Sequence, residues 1–484
     1  MPVPLLPARP GETQHQRAAR TLREAVRRAE LLPGTRLSTR TLAAAWRLAR
    51  VTVQDALDQL RAEGVVEVRA RSGSYVSQGT VRGDVSGDER RRAQTPEVPL
   101  SKWAQRALTG ERSEAGGSGD RIDFRLGQSA GLFPSQMWAE SLARWAARSG
   151  QDGPAAELLR PSALGPYGTR QAIAGWLTRE RGAEVTPEMV MLTAGTQSAL
   201  DLLARTYLEA GRVAVIEDPG YPGARRALGA VGAEVCGVPV DQQGLQVASL
   251  PPLAALAYVT PGCQFPTTVT LSAGRRAALL DWASSANAFI VEDDYAADFH
   301  HAARPPAPLQ AQAPWQVLLL GTFSQSLAPA LRSGYLVAPP AVLDTLARTR
   351  PLTDLHPPTL DALALADFLA SGGYARHLRR ARTRLAHRHE LLHGALHQVG
   401  LTPLPARAGS HLLLPLPHGL DEAEVQARAA ALGVGVAKLS DYALKASGSS
   451  ALLLAFAHLS PERIREGAAL LGEAMASGRG GYTR

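Results

Sequence analysis

The chain has 484 residues, 45% of them apolar, and a formal net charge of +8; that is material for two or three domains with a large buried core, and it excludes a single small module. Two cysteines, Cys236 and Cys263, no secretory pattern in the proline-rich start Met1 to Pro10, and no apolar run long enough to span a membrane lead to the expectation of a cytoplasmic protein without disulfides, metal or membrane partner. Only three of the 52 basic residues are lysine: Lys102, Lys438 and Lys445.

Positive charge is concentrated at the amino end, where residues 11 to 80 hold twelve arginines against seven carboxylates. Helical periodicity runs through Ala18-Leu22-Val26, Leu42-Ala45-Leu48 and Val53-Leu57-Leu60, with Pro33-Gly34 and Gly64 as breaks. The pattern then changes to period two in Val65-Val66-Glu67-Val68-Arg69, turns at Ser72-Gly73 and returns in Tyr75-Val76. Three helices and a two-stranded wing make a winged helix-turn-helix over residues 11–78, whose third helix starts near Arg50 and enters a major groove. Arg50, Thr52 and Gln54 at its start, Arg40 on the preceding helix, and Arg69 and Arg71 beside the wing turn are the candidate contacts to double-stranded DNA. This module resembles the GntR family of bacterial regulators through Arg36-Leu37-Ser38-Thr39-Arg40-Thr41-Leu42-Ala43, Arg50-Val51-Thr52-Val53 and Arg71-Ser72-Gly73-Ser74-Tyr75-Val76. It departs from that family in Ala49, where a serine is usual, and in Arg71, where a wing glycine is usual.

Residues 79–120 are rich in Gly, Ser, Glu and Arg, include Arg90-Arg91-Arg92 and Gly116-Gly117-Ser118-Gly119, and read as a flexible linker. From residue 121 to 484 strands and helices alternate: Met189 to Leu192 ahead of a helix at Gln197 to Ala210, then Val213 to Ile216, Ala257 to Val259, Phe289 to Val291 and Val317 to Leu320. Such alternation gives an α/β domain with a mostly parallel sheet, with a large subdomain at about 165–350 and a small one at about 375–484. Ligand sites in these sheets lie at the carboxyl ends of the strands.

Chemistry-bearing residues fall at those ends. Thr193-Ala194-Gly195-Thr196-Gln197-Ser198 opens a helix and suits a phosphate. Glu217-Asp218-Pro219-Gly220-Tyr221-Pro222 presents an aromatic face, and Glu292-Asp293-Asp294-Tyr295 offers a carboxylate for a pyridinium nitrogen and a phenol for a ring oxygen. Thr322, Ser324 and Arg332 add hydroxyls and a guanidinium for phosphate.

In this order the motifs resemble fold-type I pyridoxal phosphate-dependent aminotransferases, and together with the amino-terminal module the whole chain resembles the MocR subfamily of GntR regulators. The resemblance implies a dimer in which Asp293 pairs with the pyridine nitrogen, Tyr295 with the phenolic oxygen and Tyr221 with the ring face, while Gly195, Thr196, Gln197, Thr322, Ser324 and Arg332 surround the phosphate. It also implies a Schiff-base lysine at the position of Gln325, and a carboxamide nitrogen cannot make that bond. Cys263 stands for a common histidine, Thr268 for a glycine, Arg160 near the place of a tyrosine, and Leu453 for an arginine that clamps a carboxylate.

The expectation is therefore a DNA-binding transcriptional regulator with a catalytically inactive aminotransferase-like domain for dimerisation and effector sensing, holding pyridoxal phosphate noncovalently if it binds it. The alternatives are a pyridoxal phosphate enzyme with an appended DNA-binding module, and a scaffold whose ligand site is filled by its own side chains, Arg160 or Thr268 among them.

Overall fold

In the computed structural model, residues 3–69, 73–77, 98–109, 121–127, 133–147, 156–300, 305–406, 408–445 and 450–476 are described. The chain divides into two compact units, Met1–Pro99 and Leu100–Arg484. Among the described residues, no helix is long and apolar enough to cross a membrane.

The first unit carries helices Gln14–Arg27 (α1), Thr39–Trp46 (α2) and Arg50–Ala62 (α3) and strands Arg36–Leu37 (β1), Val66–Arg69 (β2) and Gly73–Val76 (β3). Thr13 and Gln16 form a capping box on α1, and Ser38 caps α2 by accepting from the Thr41 amide, which satisfies amide donors that the first helical turns leave open. Ala49 precedes α3 without a side-chain cap. The apolar faces close on one core in which Ala18, Leu22, Val53, Ala56 and Leu60 are fully buried, each large side chain contributing roughly 2 kcal/mol of burial. The wing has one strand more than the sequence pattern showed, because Arg36–Leu37 pairs antiparallel with β3 in the order β1-β3-β2. A two-residue strand is too short to carry a periodicity signal.

The second unit contains strands Ile122–Asp123 (β4), Val190–Thr193 (β5), Val213–Asp218 (β6), Glu234–Asp241 (β7), Gly244–Leu245 (β8), Leu256–Val259 (β9), Phe289–Asp293 (β10), Val317–Thr322 (β11), Gly334–Val337 (β12), His411–Pro415 (β13), Val434–Gly435 (β14), Ala437–Lys438 (β15) and Ala451–Ala455 (β16). The main sheet has eight strands in the order β5-β12-β11-β10-β9-β6-β7-β8. Its centre is parallel, from β11 through β10, β9 and β6 to β7. β12 runs antiparallel to both β11 and β5, so β5 points the same way as the parallel strands, and the carboxyl ends of β5, β6, β10 and β11 share one edge. β13, β16 and β15 form a separate antiparallel sheet, and β14 pairs with β4.

Part of the segment read as linker is a helix, Lys102–Leu108, capped by Ser101 and tied to the second unit by an Arg106 Nε hydrogen bond of 3.0 Å to the Ala230 carbonyl. Residues 78–97 and 110–120, including Arg90 to Arg92 and Gly116 to Gly119, lie outside the described residues.

Packing decides the sign of two glycine substitutions. On helix Pro461–Ala476 a Cβ at Gly467 would overlap the edge of the fully buried Phe124 ring, whereas at Gly394, inside helix Gly373–Gln398, nothing lies within 4 Å. Gly467→Ala is expected to cost about 1–3 kcal/mol through overpacking, and Gly394→Ala to add about 0.5–1 kcal/mol by removing backbone freedom, as measured by chemical denaturation.

Candidate functional site

Three consecutive carboxyls at the end of β10 have different fates. Strand alternation turns Glu292 and Asp294 to one face and Asp293 to the other. Glu292 accepts from the Leu309 and Gln310 amides at 2.9 and 3.0 Å, and Asp294 takes a two-pronged bond from Arg181, at 2.9 Å from Nε and 2.7 Å from Nη2. Asp293 is 4% exposed, and its Oδ2 accepts from the Tyr258 hydroxyl at 2.8 Å, but Oδ1 is buried without a partner among the described residues. A buried acceptor left open costs about 1–3 kcal/mol. Burial accordingly pushes Asp293 up to about 7, and a cationic N–H donor at Oδ1 would reverse that.

Around this carboxyl the polar groups are fixed by one another. Glu217, at the end of β6, accepts from Thr260 Oγ1 and from Gln264 Nε2, the latter at 3.1 Å, and burial pushes it up to about 7. Tyr221 lies 6.3 Å from the Tyr258 ring and 6.0 Å from the Phe265 ring, centroid to centroid. The Tyr295 hydroxyl is 3.5 Å from Cys263 Sγ, and burial pushes that thiol up to about 12.

An anion cradle lies along the same edge. Helix Thr196–Tyr207 starts directly after β5, with its amide ends and dipole open at Gly195, whose φ of 90° belongs to the left-handed region. A Cβ at Gly195 would stand in ordinary contact, 3.4 and 3.5 Å, with the Arg332 guanidinium nitrogens, so the loop backbone and the cation lie side by side, and the positive φ is what favours glycine there. Arg332 has no carboxylate partner among the described residues. Gln197 donates to the Gly223 carbonyl at 3.3 Å, and Thr322 Oγ1 accepts from the Ser324 amide at 3.1 Å. Thr196 and Ser324 are half-buried with no side-chain hydrogen bond among the described residues.

Gln325 lies on the turn that follows β11, half-buried and without a side-chain hydrogen bond among the described residues. Lysines do not replace it. Lys438 Nζ pairs with Asp441 at 3.3 Å, and Lys102 and Lys445 are exposed. Arg160 is exposed too. Thr268 is buried at a φ of 63°, a conformation that costs a threonine about 1–2 kcal/mol relative to glycine, and its hydroxyl has no partner among the described residues. Leu453 is fully buried beside Leu413 and Ala437.

The donor set fits a phosphorylated pyridine: an open carboxylate oxygen for the ring N–H, aromatic rings for its face, and an anion cradle for the phosphate. Tyr258, Arg181 and Thr260 carry no site role in the sequence reading, and Gln264 enters it only within the Gln264-Phe265-Pro266-Thr267 motif of the family resemblance. Tyr258 had a signal, as the sole hydroxyl in the buried run Leu256 to Val259.

On the first unit, Arg40, Arg50 and Gln54 are exposed and Thr52 is half-buried. Gln54 accepts from Thr39 at 3.2 Å and donates to Asp58. Arg69 is bound to Glu67 at 2.8 Å and lies 4.8 Å over the Tyr75 ring. Arg71 lies outside the described residues.

Comparison with known proteins matches residues 127–471 to the family of class I and II aminotransferases and residues 14–76 to bacterial regulatory proteins of the gntR family. The chain is 32% identical over 452 residues to the probable rhizopine catabolism regulatory protein MocR of Rhizobium meliloti, covering 91% of this chain and 90% of that one. It is 32% identical over 447 residues to the pyridoxine biosynthesis transcriptional regulator PdxR of Corynebacterium glutamicum, covering 91% of each. Among solved structures, α-aminoadipate aminotransferase LysN of Thermus thermophilus, complexed with N-(5'-phosphopyridoxyl)-L-leucine, superimposes with a TM-score of 0.70 at 26% identity, covering 78% of this chain and 98% of that one. The fold expected from the sequence is thereby borne out.

Glu217, Glu292 and Asp293, all pushed up to about 7 by burial, bind protons more tightly folded than unfolded. The unliganded protein should therefore lose stability as the pH rises from about 4 through 7. Asp293→Asn removes one of these groups and is expected to raise stability at pH 8 by about 1–3 kcal/mol, with a much smaller effect at pH 5, in chemical denaturation at the two pH values.

Proposed function

This chain belongs to the class I and II aminotransferase family and carries a gntR-family module at its amino end, and from that premise we propose that it is a DNA-binding transcriptional regulator whose aminotransferase-like domain holds pyridoxal phosphate without a covalent bond and without catalysis. The observation that carries this reading is Gln325, a carboxamide on the turn after β11 in a chain whose three lysines are all elsewhere. Relatives that match over nine-tenths of the chain are regulators by name, and the phosphopyridoxyl compound in the LysN structure supports the choice of ligand.

When bound, the cofactor supplies an aldehyde and an electron-withdrawing pyridinium ring. Asp293 Oδ1 would take the ring N–H, which keeps the carboxylate ionised. Tyr295 would donate to the ring oxygen and Tyr221 would cover the ring face, while Gly195, Thr196, Gln197, Thr322, Ser324 and Arg332 would hold the phosphate. Transamination needs a lysine both as anchor and as general base, and a carboxamide does neither.

At the other end, α3 would lie in the major groove with Arg50, Thr52 and Gln54 at its leading turn, while Arg40, Arg69 and Arg71 hold phosphates. A homodimer would present two such modules to paired half-sites.

Two measurements test the reading. A mobility-shift titration with DNA from upstream of the gene itself should show binding that weakens steeply with salt, and Arg50→Ala should cost about 1–3 kcal/mol of affinity; no binding to that DNA or to neighbouring promoters counts against a regulator. Titration with pyridoxal phosphate, read by absorbance and tryptophan fluorescence, should saturate, leave nothing fixed to the protein after borohydride, and weaken at least tenfold in Asp293→Ala, the loss of a charge-assisted bond of about 1.5–3 kcal/mol.

A further inference from the structure

The turn that carries Gln325 is held on both sides. Phe323 is 1% exposed and packs at 5.5, 5.7 and 6.4 Å from the rings of Tyr374, Tyr335 and Trp176. Ser326 Oγ lies 2.7 Å from the Tyr374 hydroxyl, which donates to Asp298, and His377 Nε2 meets the Ser326 carbonyl. Leu327 is buried, and its amide closes the turn on the Phe323 carbonyl at 2.8 Å. Between these anchors Gln325 is half-buried with no side-chain hydrogen bond among the described residues. The carboxamide is thus presented by a rigid support, with donors and an acceptor all open.

Resting on the noncovalent reading above, we infer that the pocket recognises the phosphorylated 3-hydroxypyridine ring whatever the oxidation level of its 4-substituent, taking pyridoxamine 5'-phosphate and pyridoxine 5'-phosphate as readily as pyridoxal 5'-phosphate. The groups assigned to ring and phosphate, Asp293, Tyr295, Tyr221, Arg332 and the start of helix Thr196–Tyr207, meet features that the three compounds share, so they do not discriminate among them. Discrimination would fall to Gln325. Its nitrogen can donate to an aldehyde oxygen, and its oxygen can accept from an alcohol or an ammonium group. A lysine there would favour the aldehyde by condensing with it and would repel the ammonium. Neither Cys263 nor Lys438 supplies the missing preference: burial keeps the Cys263 thiol protonated, and Lys438 is engaged by Asp441.

The test is a fluorescence and absorbance titration of the full chain with each of the three phosphates, beside the Gln325→Lys variant. The expected result is three dissociation constants within about tenfold of one another for the wild type, a span that one altered hydrogen bond can cover. In Gln325→Lys the order should shift at least about a hundredfold toward pyridoxal phosphate, whose aldehyde carbon the lysine amine attacks with loss of water, so that borohydride leaves a stable C–N bond to the protein. Either amine or alcohol form binding more than about tenfold more weakly than pyridoxal phosphate to the wild type overturns the inference while leaving noncovalent pyridoxal phosphate binding intact. Failure of all three to bind overturns both. A folded Gln325→Lys protein with the wild-type order and nothing fixed by borohydride also overturns it, and if that variant does not fold, the wild-type order decides alone.

Discussion

Asp293 is a carboxylate placed inside the protein with half of its hydrogen-bonding capacity left open, and the surrounding structure is organised about that condition. Its neighbours on β10 show what a satisfied carboxyl looks like here: Glu292 is closed by two backbone amides, and Asp294 by the Arg181 guanidinium. Glu217 on β6 is closed by Thr260 and Gln264. Among these four, Asp293 alone keeps a buried oxygen without a donor. An edge on which Glu217, Glu292 and Asp294 are hydrogen-bonded while Asp293 keeps one oxygen open, and which also carries Gly195 and Arg332, suits a ligand that brings its own positive N–H and its own phosphate.

The turn after β11 is the other fixed element. Phe323, Ser326 and Leu327 are bound into an aromatic and hydrogen-bonded framework with Tyr374, His377 and Asp298, so Gln325 sits on a fixed stretch of backbone. On the proposed reading, a carboxamide in place of an amine would remove the anchor and the base together and leave the residues assigned to ring and phosphate in place. The binding without turnover proposed above would suit a sensor, in which occupancy rather than conversion carries the signal.

Much of this was legible in the sequence. Gly195, Asp293 and Gln325 fall at or soon after the ends of apolar strand runs, and strand ends on one edge of a parallel sheet are where α/β proteins bind ligands. The three helices of the first unit were visible as periodic apolar faces. Elements without a periodic signal were not: the two-residue strand Arg36–Leu37, the antiparallel strand Gly334–Val337 that reconciles β5 with the parallel centre, and helix Lys102–Leu108 in a polar stretch.

What the sequence by itself determined is the chemistry available: two modules, a basic face on the first, a set of carboxylate, phenol, hydroxyl and guanidinium groups at strand ends on the second, and a carboxamide where an amine was expected. Only the tertiary structure decided which of those groups are already satisfied. Asp293 and Asp294 are adjacent and chemically alike in sequence, yet one is left open beside Tyr258, and the other is closed by Arg181, 113 residues away along the chain. Hydrogen-bond saturation depends on partners brought together through space, and no local pattern of residues encodes it.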